Sequence, residues 1–216
     1  MQACGLVTDH DQSVESEGAV VSDDPCSTTT VIRQLAERLH QQVVSFQART
    51  LLLMQVNPDR PTAVKLLELA CELGSRRDET VLLVDAEPRR RDLTIELNFQ
   101  DTPGLTECFG AGQPVTSLVR PRVRQRLDVL PMGRGRMSVG DGLTDVVANT
   151  VRRLAQNRLV IFAAGGPECL VCRDLLPASD IAVLVLKKGV TTYRQTKLAL
   201  QSATAATGRT IGSILA

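Results

Sequence analysis

Asp85 and Glu87 are the residues whose types and spacing could do chemistry. They stand two positions apart directly after the apolar run Val81–Val84 and are followed by Arg89, Arg90 and Arg91. Carboxylates placed this way can hold Mg²⁺ or orient a water, chiefly where substrate phosphates complete the metal's shell. The plainer reading is that the acids pair with the arginines or with a helix end. A second set is basic: Arg120, Arg122, Arg124, Arg126, Arg134 and Arg136. The first four occur at every second position, so an extended segment could project them together toward an anionic partner, or simply solvate them. Gly133 and Gly135 beside Arg134 leave room for a small anion-binding loop. The third set is Cys169-Leu-Val-Cys172. Zinc would need two further ligands, and the only histidines, His10 and His40, lie far away in sequence. Structural cysteines are therefore expected, His40 reads as a polar-face residue of a helix, and no Ser-His-Asp or Cys-His arrangement can be built.

The elements that must position these groups follow from the hydropathy pattern. Val81–Val84 is apolar without alternation, the mark of a strand buried on both faces of a parallel sheet. The loop after such a strand opens at the carboxyl edge, where open α/β sheets bind ligands. Further strands are expected at Leu51–Val56, Leu127–Leu130, Leu159–Phe162, Asp180–Leu186 and Thr210–Leu215. Helices are expected at about 31–48, 62–73, 105–109, 144–156 and 192–207, with Gly74 closing the second. Strands alternating with helices imply a three-layer α/β sandwich around a mostly parallel sheet. One domain over residues 30–216 is expected, preceded by an acidic, disordered segment over 1–29.

Composition narrows the class. Apolar residues make up 43% and mean hydropathy is zero, as in an ordinary globular chain. The longest apolar runs fall far short of a membrane span. With no secretory signal ahead of them, the six cysteines point to a reducing compartment. The net charge of +1 hides an asymmetry: Asp9, Asp11, Glu15, Glu17, Asp23 and Asp24 precede residue 33 with no Lys or Arg among them. The rest of the chain therefore carries +1 − (−6) = +7, and the acidic stretch could fold back over a basic body. The absence of Trp and the single tyrosine, Tyr193, disfavour stacked-base recognition of nucleic acid.

Several of these stretches, in order, resemble the cytoplasmic ATPase domain of bacterial tyrosine autokinases that control exopolysaccharide chain length and export. Those kinases belong to the deviant P-loop ATPases, together with the cell-division and partition ATPases. Val81–Asp92 (V-L-L-V-D-A-E-P-R-R-R-D) looks like the second Walker-A-type motif of that family. Pro103–Pro121 looks like its P-G-L segment, Leu127–Arg134 like its L-x-V-L-P-A-G strand, and Asp180–Gly189 like its late S-D strand. The resemblance spans about Thr30 to Ala216 and implies a P-loop NTPase-like fold with ATP and Mg²⁺ as the family's cofactors.

The departures fall where that chemistry would sit. A phosphate loop uses glycines to bring backbone N–H groups around the phosphates, a Lys for their oxygens and a Ser/Thr hydroxyl for Mg²⁺. Aligned on Leu67–Ala70, the loop reads Asp59, Arg60, Pro61, Thr62, Ala63, with Asp59 and Pro61 at the glycine positions. Thr62 replaces the lysine and Ala63 the hydroxyl, while Lys65 lies one helical turn in. Ala163 stands where the Walker-B-like strand carries an aspartate, and Glu87 replaces the second acid of the Asp85 motif. The family's tyrosine-rich tail, which it phosphorylates, is not expected here, since Tyr193 is the single tyrosine. Of the family's E-x-x-R-x-x-R helix motif, used in ring-like assembly, only Arg33 survives, between Thr30 and Ala36.

The resemblance and its departures together imply a catalytically impaired homologue that regulates or scaffolds exopolysaccharide synthesis or export. Its implied partner is an inner-membrane chain-length or export protein, with a homo- or hetero-oligomer allowed and nucleic acid not expected. The implied place is the cytoplasm, at the membrane only through that partner, and no cofactor is expected to be held in the usual way. Two alternatives stay open: an active atypical ATPase or kinase rebuilt around Asp85, Glu87 and arginines, and a partition- or positioning-type adaptor that uses the Arg120–Arg136 face.

Overall fold

The computed structural model describes residues 25–135, 143–207 and 210–215. Arg136 and the acidic stretch through Asp24, both singled out above, lie outside them. In chain order the elements are α1 (Pro25–Ser45), β1 (Thr50–Gln55), α2 (Arg60–Ser75), β2 (Val81–Ala86), α3 (Asp92–Glu96), α4 (Leu105–Ala111) and α5 (Val115–Leu118). There follow β3 (Arg120–Arg124), β4 (Leu127–Leu130), α6 (Leu143–Leu154), β5 (Val160–Ala164), α7 (Leu170–Leu175), β6 (Ile181–Leu186), α8 (Tyr193–Thr207) and β7 (Thr210–Leu215). A 3₁₀ turn, Leu176–Ala178, extends α7.

The strands form one sheet in the order β3-β4-β2-β5-β1-β6-β7. Every pairing is parallel except β3 with β4. β1, β2, β4, β5 and β6 are buried along their whole length. Their side chains divide by strand alternation. Leu51, Leu53, Leu83 and Ile161 join Leu35, Ala36, Leu39, Leu66, Ala70 and Leu73 of α1 and α2 on one face. Leu52, Met54, Val84 and Phe162 join Leu105, Val147, Val151, Leu175 and Ala199 of α4, α6, α7 and α8 on the other. Helices on both sides explain why these strands read as unbroken apolar runs rather than alternating ones. The expected three-layer α/β architecture is therefore present. No helix among the described residues is long and apolar enough to cross a membrane.

Four local expectations need correction. α1 begins at Pro25, not Val31, so residues 25–29, expected to belong to the tail, are helical. Gly74 does not end α2, which runs to Ser75. A Cβ there would sit 2.9 Å from the Arg126 carbonyl oxygen, so the glycine serves close approach of the β3–β4 turn. α4 continues past Gly110 to Ala111 and ends at Gly112, whose φ of +64° lies in the left-handed region. His40 is half-buried, and its Nδ1 has no hydrogen-bond partner.

Candidate functional site

The carboxyl edge of the sheet gathers the loops after β1, β2, β5 and β6, and the sequence-predicted residues arrive there in unequal roles. Asp59 is the N-cap of α2, and its Oδ1 accepts from the Thr62 backbone N–H at 2.9 Å. Its other oxygen accepts from the ammonium of Lys187, which comes from the turn after β6. Burial alone would raise the Asp59 carboxyl, but Lys187 and Thr62 hold it below the usual value. The same two loops are joined again: Thr191 Oγ1 donates to Asn57 Oδ1 at 2.7 Å, and the Lys187 N–H donates to Thr191 Oγ1 at 2.8 Å.

A helix N-terminus with unmet N–H groups is an anion site. Here the chain supplies the anion itself. Pro61 offers no N–H, the Thr62 N–H is taken by Asp59, and Thr62 and Ala63 are buried. Arg60 is turned to Glu96 of α3 at 2.8 Å. The residues present do not fit a nucleotide's phosphates in the usual loop: a carboxylate stands at the helix N-terminus, Pro61 has no N–H to give, and the Thr62 N–H is already bonded to Asp59.

Asp85 is placed away from any open site. It is 2% exposed, and its carboxylate accepts from the Thr94 N–H at 2.9 Å, the Thr94 hydroxyl at 2.7 Å and the Glu87 N–H at 3.2 Å. Thr94 is the third residue of α3, and the residue preceding that helix, Arg91, makes no side-chain cap. Asp85 therefore caps α3 from the neighbouring strand. The Thr94 hydroxyl in turn accepts from the Met132 N–H at 2.8 Å, tying the loops after β2 and β4 together. Burial raises the Asp85 carboxyl to about 6 against these hydrogen bonds.

Glu87 faces the cleft. Its Oε1 accepts from the Arg89 N–H at 3.0 Å, and its Oε2 lies 2.0 Å from where a Cβ on Gly165 would be. Gly166 is covered in the same way by the Glu168 carboxylate. Gly165 and Gly166 follow β5, and two glutamates converge over their bare backbone. Burial pushes the Glu87 carboxyl up, and Glu168 adds to the push. These glutamates, with Val56, Asn57, Pro58, Arg89, Arg90, Cys169 and Gln195, line a cavity of about 340 Å³. Glu168 and Gln195 carry no motif that could have flagged them.

The remaining predicted residues are dispersed. Cys169 precedes α7, which the sequence reading missed, and Cys172 lies within it. Both thiols are buried and pushed up by that burial. Among the described residues no group of three metal-ligating side chains converges. The Gly133–Gly135 loop does bind an anion, but an internal one. The Arg134 and Gly135 N–H groups donate to Glu107 Oε1 at 3.0 and 2.8 Å, and Glu107 Oε2 accepts from Gly104 N–H at 2.6 Å. Arg91 closes the corner by donating to the Gly133 carbonyl at 2.9 Å. Arg33 pairs with Glu72 of α2 at 3.6 Å, and Ala36, fully buried, faces the core. Arg120, Arg122, Arg124 and Arg126 lie on and beside β3, far in the sheet order from β1. Their expected alternation is broken, because Arg122 and Arg126 have φ of +54° and +57°.

No family model and no curated protein matches the sequence. Solved structures do match. The kinase domain of Escherichia coli tyrosine kinase ETK superposes with a TM-score of 0.71 at 19% identity, covering 99% of this chain and 87% of that one. The BceF tyrosine kinase domain gives 0.68 at 18% identity, covering 92% and 83%. A plasmid partition protein from Borrelia burgdorferi gives 0.62 at 12% identity, covering 78% of each. The chain thus has the P-loop NTPase-like fold of the bacterial tyrosine kinase domains.

Proposed function

We propose that this chain is a kinase-fold domain without phosphoryl transfer, acting as a regulatory or scaffolding member of exopolysaccharide synthesis or export. Its partner in this reading is an inner-membrane chain-length or export protein, met on the cytoplasmic side. The observation that carries the loss of catalysis is the Asp59 carboxylate at the α2 N-terminus, held by Thr62 and Lys187 where a phosphate would lie. The pathway rests on the ordered motifs and on the fold shared with tyrosine kinase domains.

Calorimetric titration with ATP and with ADP, with and without Mg²⁺, tests the reading. No heat is expected up to about 1 mM ligand, roughly −4 kcal/mol of binding. Mg²⁺-dependent binding that disappears in Glu87→Gln would sink it. Asp85 is unsuitable as a probe, because its substitution would unfasten α3. The cavity between Glu87, Glu168, Arg89 and Arg90 favours one rival, a nucleotide grip rebuilt on the β2 side of the cleft. That rival requires ATP hydrolysis that falls when Arg89 and Arg90 are replaced.

A further inference from the structure

β3 is the outermost strand on its side of the sheet and pairs only with β4. Such an edge leaves backbone N–H and C=O groups unpaired, and here it also carries unpaired charge. Among the described residues, none of Arg120, Arg122 and Arg124 is in an ion pair, and the Arg120 Nε is buried without a partner. The nearest acid, Asp128, is committed elsewhere: one oxygen takes the Arg122 backbone N–H at 2.9 Å and the other takes Arg158 at 2.8 Å. Arg126 donates to the Arg77 carbonyl and lies 3.8 Å from an exposed Asp78, leaving the strand's own guanidiniums without a counter-charge.

The complementary charge exists in the same chain. Residues 1–24 hold Asp9, Asp11, Glu15, Glu17, Asp23 and Asp24 and no Lys or Arg. The geometry allows the meeting. α1 starts at Pro25, and its Arg33 contacts Glu72, the neighbour of Cys71, whose thiol feels the charge of Arg124. Eight residues of helix rise about 12 Å, while 24 extended residues reach up to about 80 Å.

We propose that the acidic segment 1–24 docks along the β3 edge, with its carboxylates on Arg120, Arg122 and Arg124. The segment then acts as an intrachain competitor for any external polyanion. Electrostatic docking of this kind is screened by salt.

The test keeps the chain full length. Asp9, Asp11, Asp23 and Asp24 are changed to Asn, and Glu15 and Glu17 to Gln, and the rates of phenylglyoxal modification are read arginine by arginine through peptide mass spectrometry. Arg194, exposed on α8, serves as the internal reference. At low salt Arg122 and Arg124 are expected to react several-fold more slowly in the wild type than in the neutralised variant, with Arg194 equal in both. The contrast should vanish near 1 M salt, and the variant should be retained more strongly on heparin. Equal rates for Arg122 and Arg124 in the two proteins overturn the proposal. So does protection that grows with protein concentration, which would make a second copy the occupant. Heparin or DNA binding equally strong in both proteins also overturns it, because the edge would then belong to an external polyanion.

Discussion

Two corners of the molecule hold a carboxylate on donors from a neighbouring loop or helix end, and they do it differently. At α2, Asp59 has one N–H and the ammonium of Lys187, a residue 128 positions away. At α4, Glu107 has the N–H groups of Gly104, Arg134 and Gly135 and the hydroxyl of Thr106, with no cation bonded to it among the described residues. Burial works against both charges, and in both cases the bonds outweigh it and hold the carboxyl below its usual value. The Glu107 corner is therefore a brace, whose donors are fixed by glycine backbone. The Asp59 corner is a latch, whose strength depends on a side chain free to find another anion. In both, the anion comes from the chain itself.

The brace should break hardest. A Cβ on Gly104 would lie 2.0 Å from the Pro131 carbonyl oxygen and 2.6 Å from the Gly133 nitrogen, so Gly104→Ala must shift backbone. We expect a loss of more than about 3 kcal/mol in urea unfolding; a loss under about 1 kcal/mol would mean that the corner is pliable.

Asp85 sharpens the comparison, since it has the hydrogen bonds of a brace but almost no solvent. Its carboxyl is raised in the fold to about 6 from the usual 3.8. The folded state then holds more protons than the unfolded one between these values. Stability from this group is greatest below about pH 4 and falls as pH rises to about 6, by at most roughly 3 kcal/mol. Asp59 and Glu107, being lowered, act in the opposite sense and lose their contribution as pH falls through their folded values. Comparing the pH profile of Asp85→Asn with wild type isolates the first effect. Parallel profiles between pH 4 and 6 would refute it.

Removing the Glu107 carboxylate leaves the Gly104 and Arg134 N–H groups short of an acceptor, while Gly135 keeps the Thr106 hydroxyl, and water can reach this partly exposed site. Glu107→Ala should cost about 2 kcal/mol and Glu107→Gln about half as much. Smallest is the latch. Asp59→Ala removes an N-cap worth about 1 kcal/mol, while Asp59→Asn should change stability by only a few tenths. A latch variant that cost more than the brace variant would reverse the ranking drawn above.

The sheet was legible for a physical reason. β1, β2 and β6 are covered on both faces, so burial imposes an apolar run that needs no knowledge of neighbours. β3 was not legible as a strand, since R-P-R-V-R has no apolar face; its pairing comes from β4, and left-handed turns at Arg122 and Arg126 set its course. α7 was missed because its six residues follow Gly-Gly-Pro and are held by packing. At the site, the departures from a phosphate loop at Asp59, Pro61, Thr62 and Ala63 could be read from the sequence. The capping role of Asp59 was also within reach, since an acid followed two residues on by proline is a helix-start signal. Lys187 was not, because nothing local links it to Asp59. Asp85 looked like a site residue because it ends a central strand; only its contact with Thr94, nine residues on, reveals a cap.

The position of β1 between β5 and β6 has a consequence for synthesis. Thr50 is paired with Val160, so the first strand made waits about 110 residues for its neighbour. At translation rates of about 5–20 residues per second, that is roughly 5–20 s. Throughout that interval Leu51-Leu52-Leu53-Met54, all fully buried in the finished fold, has no sheet to enter. The nascent chain is thus a natural client for a chaperone that binds short apolar segments at the ribosome, and its yield should track the supply of such chaperones more closely than the stability of the folded domain.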